Sequence, residues 1–167
     1  MTYSIPPSHR AALLSLAFTL LLACGEHEGH NVENPFAEAC EHLGGTGIPV
    51  TATSAAAGAP AIATDHKRYD VKLVDNASTG SGKSGVVSFN SAAVGHIQLF
   101  LSADVPVTVT SAAGAVISGS KLTITSPCTQ LKAAYEFAVA VGRHDLTLGG
   151  AGTTVDTVSV VAEAVIH

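Results

Sequence analysis

The chain has 167 residues, of which 47% are hydrophobic and 13% charged, and its formal net charge is -5 at pH 7. This charge argues against nucleic acid and anionic lipid surfaces as partners, because both bind through clustered Lys and Arg side chains. The apolar content is largely Val and Ala, and the chain has 16 glycines and no tryptophan. Such a composition is typical of a domain built from short strands.

The first 23 residues predict an export signal. Arg10 precedes an apolar run of 12 residues, 11–22, whereas a membrane-spanning helix needs about 20 apolar residues, so the run fits a signal peptide that is removed. Leu21-Leu22-Ala23-Cys24 resembles the bacterial lipobox. The resemblance implies a lipoprotein of the cell envelope, anchored by acyl chains such as palmitate on Cys24; the alternative is ordinary secretory cleavage. Gly25 replaces the aspartate that retains lipoproteins in the inner membrane, which implies the outer membrane, facing the periplasm or the cell surface.

Residues 24–33 are polar and carry no apolar period, which predicts a mobile tether, and residues 34–167 have the length of a single domain. The domain begins with signals for a short helix: Asn34 as N-cap, Pro35 at the first position and Gly45 just past the end.

The predicted helix has two distinct faces. Phe36, Cys40 and Leu43 fall at i, i+4 and i+7 and form a stripe that is expected to pack inward. Glu38 and His42 share another face.

Two cysteines, Cys40 and Cys128, follow the proposed anchor. In the oxidising cell envelope, an even number of cysteines beyond the anchor predicts a disulfide. Closing so long a loop would stabilise the folded protein by roughly 4–5 kcal/mol in the chain-entropy model. The alternative is a metal-binding or redox thiol, because Glu41 alone separates Cys40 from the imidazole of His42.

Beyond Gly45 the apolar period becomes two, which predicts many short strands. The predicted strands are residues 48–53, 69–74, 85–90, 96–102, 105–110, 116–118, 122–125, 135–141, 145–148 and 155–161. Glycine-containing turns are predicted at 112–115, 142–145 and 149–152, and one helical turn at 129–134. Short strands at such spacing predict a mainly β fold: an antiparallel β-sandwich, jelly-roll or Ig-like, with a short N-terminal helix.

Three of these strands have a clear core face. The same-face sets are Ile97, Leu99 and Leu101, then Val105, Val107 and Val109, and finally Tyr135, Phe137, Val139 and Val141.

Part of the chain resembles the bacterial pre-peptidase C-terminal type of β-sandwich. The shared pattern is a phenylalanine strand, a glycine-led strand, a valine strand ending at a glycine turn, and a final glycine-turned hairpin. These features are carried by residues 85–89, 93–101, 104–110, 114–117, 135–142 and 146–148, about half of the chain. The resemblance implies a non-catalytic accessory or binding module and supplies no active site.

Residues 77–84, Ala-Ser-Thr-Gly-Ser-Gly-Lys-Ser, satisfy a loose phosphate-loop pattern. A true phosphate loop leads into a helix, whereas a strand follows here, and an exported protein meets little nucleotide. We therefore expect a flexible hairpin loop with a solvated Lys83 and no bound nucleotide.

Histidine is abundant, since all but one of the eight histidines follow Cys24. Imidazole is the commonest transition-metal ligand, and carboxylates such as Glu38 can complete a site. The metal hypothesis therefore names His27, His30, His42 and His66 as ligands for copper or zinc. The alternatives involve no metal. His27 and His30 would belong to a polar linker, and His42 would interact favourably with the helix dipole and pair with Glu38 at i, i+4.

The remaining histidines have weaker cases. His66 is expected to approach His42 if a disulfide draws the helix over the sheet end. His96 is expected to be exposed or partly buried, and His144 is expected to be solvated in a tight turn. His167 carries no specific prediction.

Catalytic motifs do not occur: the sequence has no Gly-x-Ser-x-Gly, His-Glu-x-x-His or Cys-x-x-Cys. The sequence thus predicts a non-enzymatic, lipid-anchored binding module, with a transition metal or an envelope protein as partner. The alternative is a structural or protein-interaction lipoprotein without a metal site.

Overall fold

A computed structural model describes residues 34–76, 78, 80–125 and 128–165, which belong to one compact unit. The predicted signal, Cys24, the tether with His27 and His30, and His167 lie outside the described residues. The fold is mainly β, with two sheets and one short helix. In chain order the elements are α1 Pro35–Gly44, β1 Ile48–Thr51, β2 Asp65–Lys72, β3 Val74–Asp75, β4 Lys83–Ser91, β5 Gly95–Leu101, β6 Val107–Ser111, β7 Val116–Ile117, β8 Gly119–Lys121, β9 Ala133–Val139, β10 Gly142–Gly150 and β11 Thr157–Val165.

One sheet has six strands in the order β1-β2-β11-β5-β9-β8, and the other has five in the order β3-β4-β10-β6-β7. Among the described strands every ladder is antiparallel except β1–β2, which is parallel. The prediction of a purely antiparallel fold is therefore wrong at this edge. The cause is the segment between β1 and β2, which crosses to β4: Thr53 N donates to Val86 O at 3.1 Å and Ile62 N to Ser88 O at 2.8 Å. After this detour the chain re-enters the six-stranded sheet in its original direction.

The inner faces of both sheets share one hydrophobic core. Ile97, Leu99 and Leu101 of β5 are buried in it, as their alternation predicts, together with Leu146 and Leu148 from the other sheet. The predicted core face of β9 wrongly includes Val141, which lies past the end of the strand and is 62% exposed.

Helix α1 begins and ends where predicted. The Asn34 side chain accepts a hydrogen bond from Phe36 N at 3.0 Å, and Gly45 caps the other end. Ala39 and Leu43 are buried against Phe100 and Val161 on the outer face of the six-stranded sheet. The helix therefore covers sheet surface that would otherwise expose large apolar side chains to water.

The predicted disulfide is confirmed: Cys40 and Cys128 are bonded, with their Cα atoms 5.9 Å apart. The alternative of a free Cys40 thiol as metal ligand or redox group is therefore wrong. The bond joins the middle of α1 to the segment that leads into β9.

Three local predictions are wrong. Residues 122–125 are not a strand, since β8 ends at Lys121. Residues 129–134 form no helical turn, because Ala133 and Ala134 pair with Leu101 and Phe100 in the sheet, and this pairing and burial override the helix propensity of alanine. Residues 142–145 are not a tight turn: Gly142 alone among them has a positive φ, 119°, and β10 begins there.

Within the described part of the chain, no helix combines the length and apolar character needed to cross a membrane.

Candidate metal-binding site

Helix α1 supplies two of the candidate ligands, Glu38 and His42. They occupy positions i and i+4, each one residue before the buried Ala39 and Leu43. Because adjacent helical residues are about 100° apart around the axis, Glu38 and His42 flank the packed stripe and lie next to the sheet. The helix thus holds an acid and an imidazole, with His42 Nε2 3.8 Å from Glu38 Oε1.

His66 comes from β2, where it lies in a β-bulge. Val161 pairs with Arg68 and Glu163 with Asp65, so His66 and Lys67 together lie opposite Ala162. His66 has a φ of 64°, and it alone among the described non-glycine residues has a positive φ. Such a backbone conformation costs on the order of 1–3 kcal/mol, and bulges commonly re-aim a side chain next to a functional site.

The bulge directs the His66 ring towards α1. His66 Nδ1 lies 3.0 Å from Glu38 Oε1, and the rings of His66 and His42 are 5.9 Å apart between centroids. One ligand atom from each of Glu38, His42 and His66 lies within 4.8 Å of the other two. The expected approach of His66 to His42 is confirmed.

A fourth ionisable group, Glu163 of β11, lies beside His66. Its residue is 4% exposed, and its Oε1 is 3.5 Å from His66 Nδ1. Burial raises the pKa of the Glu163 carboxyl from 4.5 to about 7; the negative charge of Glu38 acts in the same direction, while His66 opposes it.

The trio is accessible from solvent. The side chains of Glu38, His42 and His66 are 33%, 37% and 43% exposed, and both histidines line a cavity of about 460 Å³. Arg68 also lines this cavity, and its Nη1 donates to the carbonyls of Leu43 and Gly45 at 2.6 and 3.0 Å. This arginine therefore fixes the C-terminal end of α1 on β2, next to His42.

A larger cavity, of about 580 Å³, borders β4 and β10. Its Arg143 is paired with Asp145 and also donates to Ala56 O at 2.9 Å, and its Tyr69 hydroxyl accepts from Ala63 N at 3.1 Å. These polar groups hold the 52–64 segment on the sheets.

The other described histidines do not belong to this cluster. His96 is partly exposed, as expected, and its Nδ1 is 3.3 Å from Glu136 Oε1. The prediction of a solvated His144 is wrong: the residue is 2% exposed, its ring stacks on Phe89 at 5.2 Å, and its Nδ1 is 3.0 Å from Gly142 O. The error follows from the misplaced turn, because His144 lies in a central strand.

The predicted hairpin after β3 is confirmed, with Val74 opposite Ser84. Lys83 is not simply solvated, however, since its Nζ lies 2.8 Å from Asp75 and 3.2 Å from Asp156.

Glu163 was missed from the sequence, although a signal exists. It is an acidic residue within an otherwise apolar stretch, Val160-Val161-Ala162-Glu163-Ala164-Val165. A buried charge in such a strand is rare without a partner or a function.

No protein-family model matches the chain, and no curated protein matches it.

Proposed function

We propose that the chain is a lipid-anchored binding module of the cell envelope that binds a divalent transition metal through Glu38, His42 and His66. The observation that carries this proposal is the convergence of three ligand atoms within 4.8 Å. Two of the residues, His42 and His66, are separated by 24 positions and belong to different elements, so the cluster is not a consequence of sequence proximity.

The donor set favours Zn²⁺ or Cu²⁺. Imidazole and carboxylate suit these ions, whereas Cu⁺ prefers thiolate and thioether sulfur. Cys40 and Cys128 are bonded to each other, and Met1 is the single methionine of the chain. Cu⁺ therefore lacks its preferred ligands here.

The distances support binding after small side-chain movements. Bonds of about 2.0–2.1 Å to a tetrahedral ion separate neighbouring ligand atoms by about 3.3 Å. The separations from Glu38 Oε1 are 3.0 Å to His66 Nδ1 and 3.8 Å to His42 Nε2. Rotation of exposed side chains closes such differences without moving the backbone.

The anchor belongs to the same proposal. With the lipid on Cys24, ten residues separate the membrane from Asn34, and a fully extended segment of this length reaches about 35 Å. His27 and His30 then lie close to the lipid surface as an entry route for the metal. For the two-layer β fold we propose a β-sandwich of the jelly-roll or Ig-like type, related to pre-peptidase C-terminal modules and binding rather than catalytic.

Competition titration of the purified full chain in detergent with Zn²⁺ and Cu²⁺ tests the proposal. The double variant His42→Ala/His66→Ala is expected to lose at least about tenfold in affinity, the lower end of the loss caused by removing even an outer-shell group. His96→Ala is the matched control, since it removes a partly exposed histidine that also faces a carboxylate, and it should bind as the unaltered protein does. Unchanged affinity of the double variant would overturn the assignment, and absence of binding by the unaltered chain would favour a structural or protein-interaction lipoprotein.

A further inference from the structure

Glu163 places one carboxyl oxygen, Oε1, in the interior of the protein without a good hydrogen bond. The residue is 4% exposed, and its neighbours Val161 and Ala162 on β11 are fully buried. Its Oε1 is buried, and its partner is the ring of His66, whose Nδ1 lies 3.5 Å away without forming a hydrogen bond of good geometry. Burying such an oxygen is costly unless a hydrogen-bond donor or a cation compensates.

The nitrogen that faces Glu163, His66 Nδ1, is in a similar position. His66 Nδ1 is buried and, among the described residues, has no hydrogen-bond partner, although two carboxylate oxygens are close. Those oxygens are Glu38 Oε1 at 3.0 Å and Glu163 Oε1 at 3.5 Å. The His66 nitrogen thus lies between two carboxylate oxygens, and both separations are close to the about 3.3 Å that separates neighbouring ligand atoms around a tetrahedral ion.

Resting on the proposed metal site, we infer that Glu163 moves towards a metal bound by Glu38, His42 and His66. It then becomes the fourth protein ligand of a four-coordinate Glu₂His₂ centre. Glu163 binds from the sheet side, whereas Glu38 and His42 bind from the helix and His66 from the bulge.

Four protein ligands define the chemistry of the centre. Zinc sites with four protein ligands are closed and structural or storage-type, whereas catalytic zinc keeps one position open for water. The centre therefore retains the metal and provides no position for an activated water.

Glu163→Gln separates this inference from the proposed function, because glutamine keeps the shape but loses the anionic ligand. Zinc affinity is expected to fall at least about tenfold. The absorption of the Co²⁺-substituted protein is expected to weaken from the intense bands of a tetrahedral ion to those of a higher-coordinate, water-containing one. Asp145→Asn is the control, since Asp145 is also a carboxylate buried in a strand but belongs to the other sheet, and this variant should leave both properties unchanged.

Zinc affinity and a Co²⁺ spectrum that are unchanged in Glu163→Gln would overturn the role of Glu163 and leave the proposed function standing. If the unaltered chain does not bind zinc, both the proposed function and the role of Glu163 are overturned. If Glu163→Gln fails to fold, a crystal structure of the zinc-loaded full chain decides: a Glu163 oxygen about 2.0–2.2 Å from the ion supports the inference, and a longer separation overturns it.

Discussion

At the scale of single residues, Glu163 shows how a buried carboxyl group can weaken a fold once it is ionised. A carboxyl whose pKa is 4.5 in the unfolded chain and about 7 in the folded one binds a proton more tightly in the folded state. Its stabilising contribution is complete below pH 4.5 and is lost as the pH rises through about 7.

This linkage predicts the pH dependence of the metal-free protein. A shift from 4.5 to about 7 corresponds to roughly 2–3 kcal/mol of stability lost between acid and neutral pH. Glu163→Gln should remove this loss, so the variant should be more stable than the unaltered protein at pH 8 and similar at pH 4.5. Urea unfolding in the presence of a chelator measures the stability of the two proteins at each pH. An equal pH dependence of the two proteins would contradict the prediction.

At the scale of elements, alternation identified most of the strands, although not β8, and capping residues identified α1, because both signals are local. Strand direction is not local, so the parallel β1–β2 pair was not predictable from alternation. The bulge at His66 was equally hidden, since it arises from the pairing of β2 with β11. His42 and His66 were identified by their chemistry, but their proximity depends on α1 packing on the sheet.

The Cys40–Cys128 bond is the covalent element of that packing. It holds the helix that carries Glu38 and His42 on the sheet that carries His66. Removing it should destabilise the protein by up to about 4–5 kcal/mol, given a separation of 88 residues. Because α1 then moves more freely, metal affinity should fall as well.

The double variant Cys40→Ala/Cys128→Ala tests this coupling. Zinc affinity and urea unfolding are measured side by side, at a temperature where circular dichroism shows that the variant is folded. A destabilised variant with unchanged zinc affinity would show that Leu43, Ala39 and the Arg68 contacts position α1 without the disulfide.

At the scale of the whole molecule, the candidate ligands come from two elements that are distant in sequence, α1 and β2, and Glu163 of β11 lies beside them. The hydrophobic core is shared by both sheets. The six-stranded sheet is thus covered on its inner face by the other sheet and, on part of its outer face, by α1. A metal bound between α1 and this sheet adds a cross-link to a packing that the disulfide already restrains.

Such a cross-link predicts that the metal stabilises the folded chain as a whole. A ligand that binds only the folded state stabilises by about 2.7 kcal/mol at a free concentration of 100 Kd, which for a domain of this size raises the Tm by roughly 5–10 °C. Calorimetry of the full chain should show the rise on adding Zn²⁺ and its reversal by a chelator. His42→Ala/His66→Ala should show neither, while His96→Ala should behave as the unaltered chain does. An equal rise in both variants would place the stabilising metal elsewhere, because His96 does not belong to the cluster of Glu38, His42 and His66.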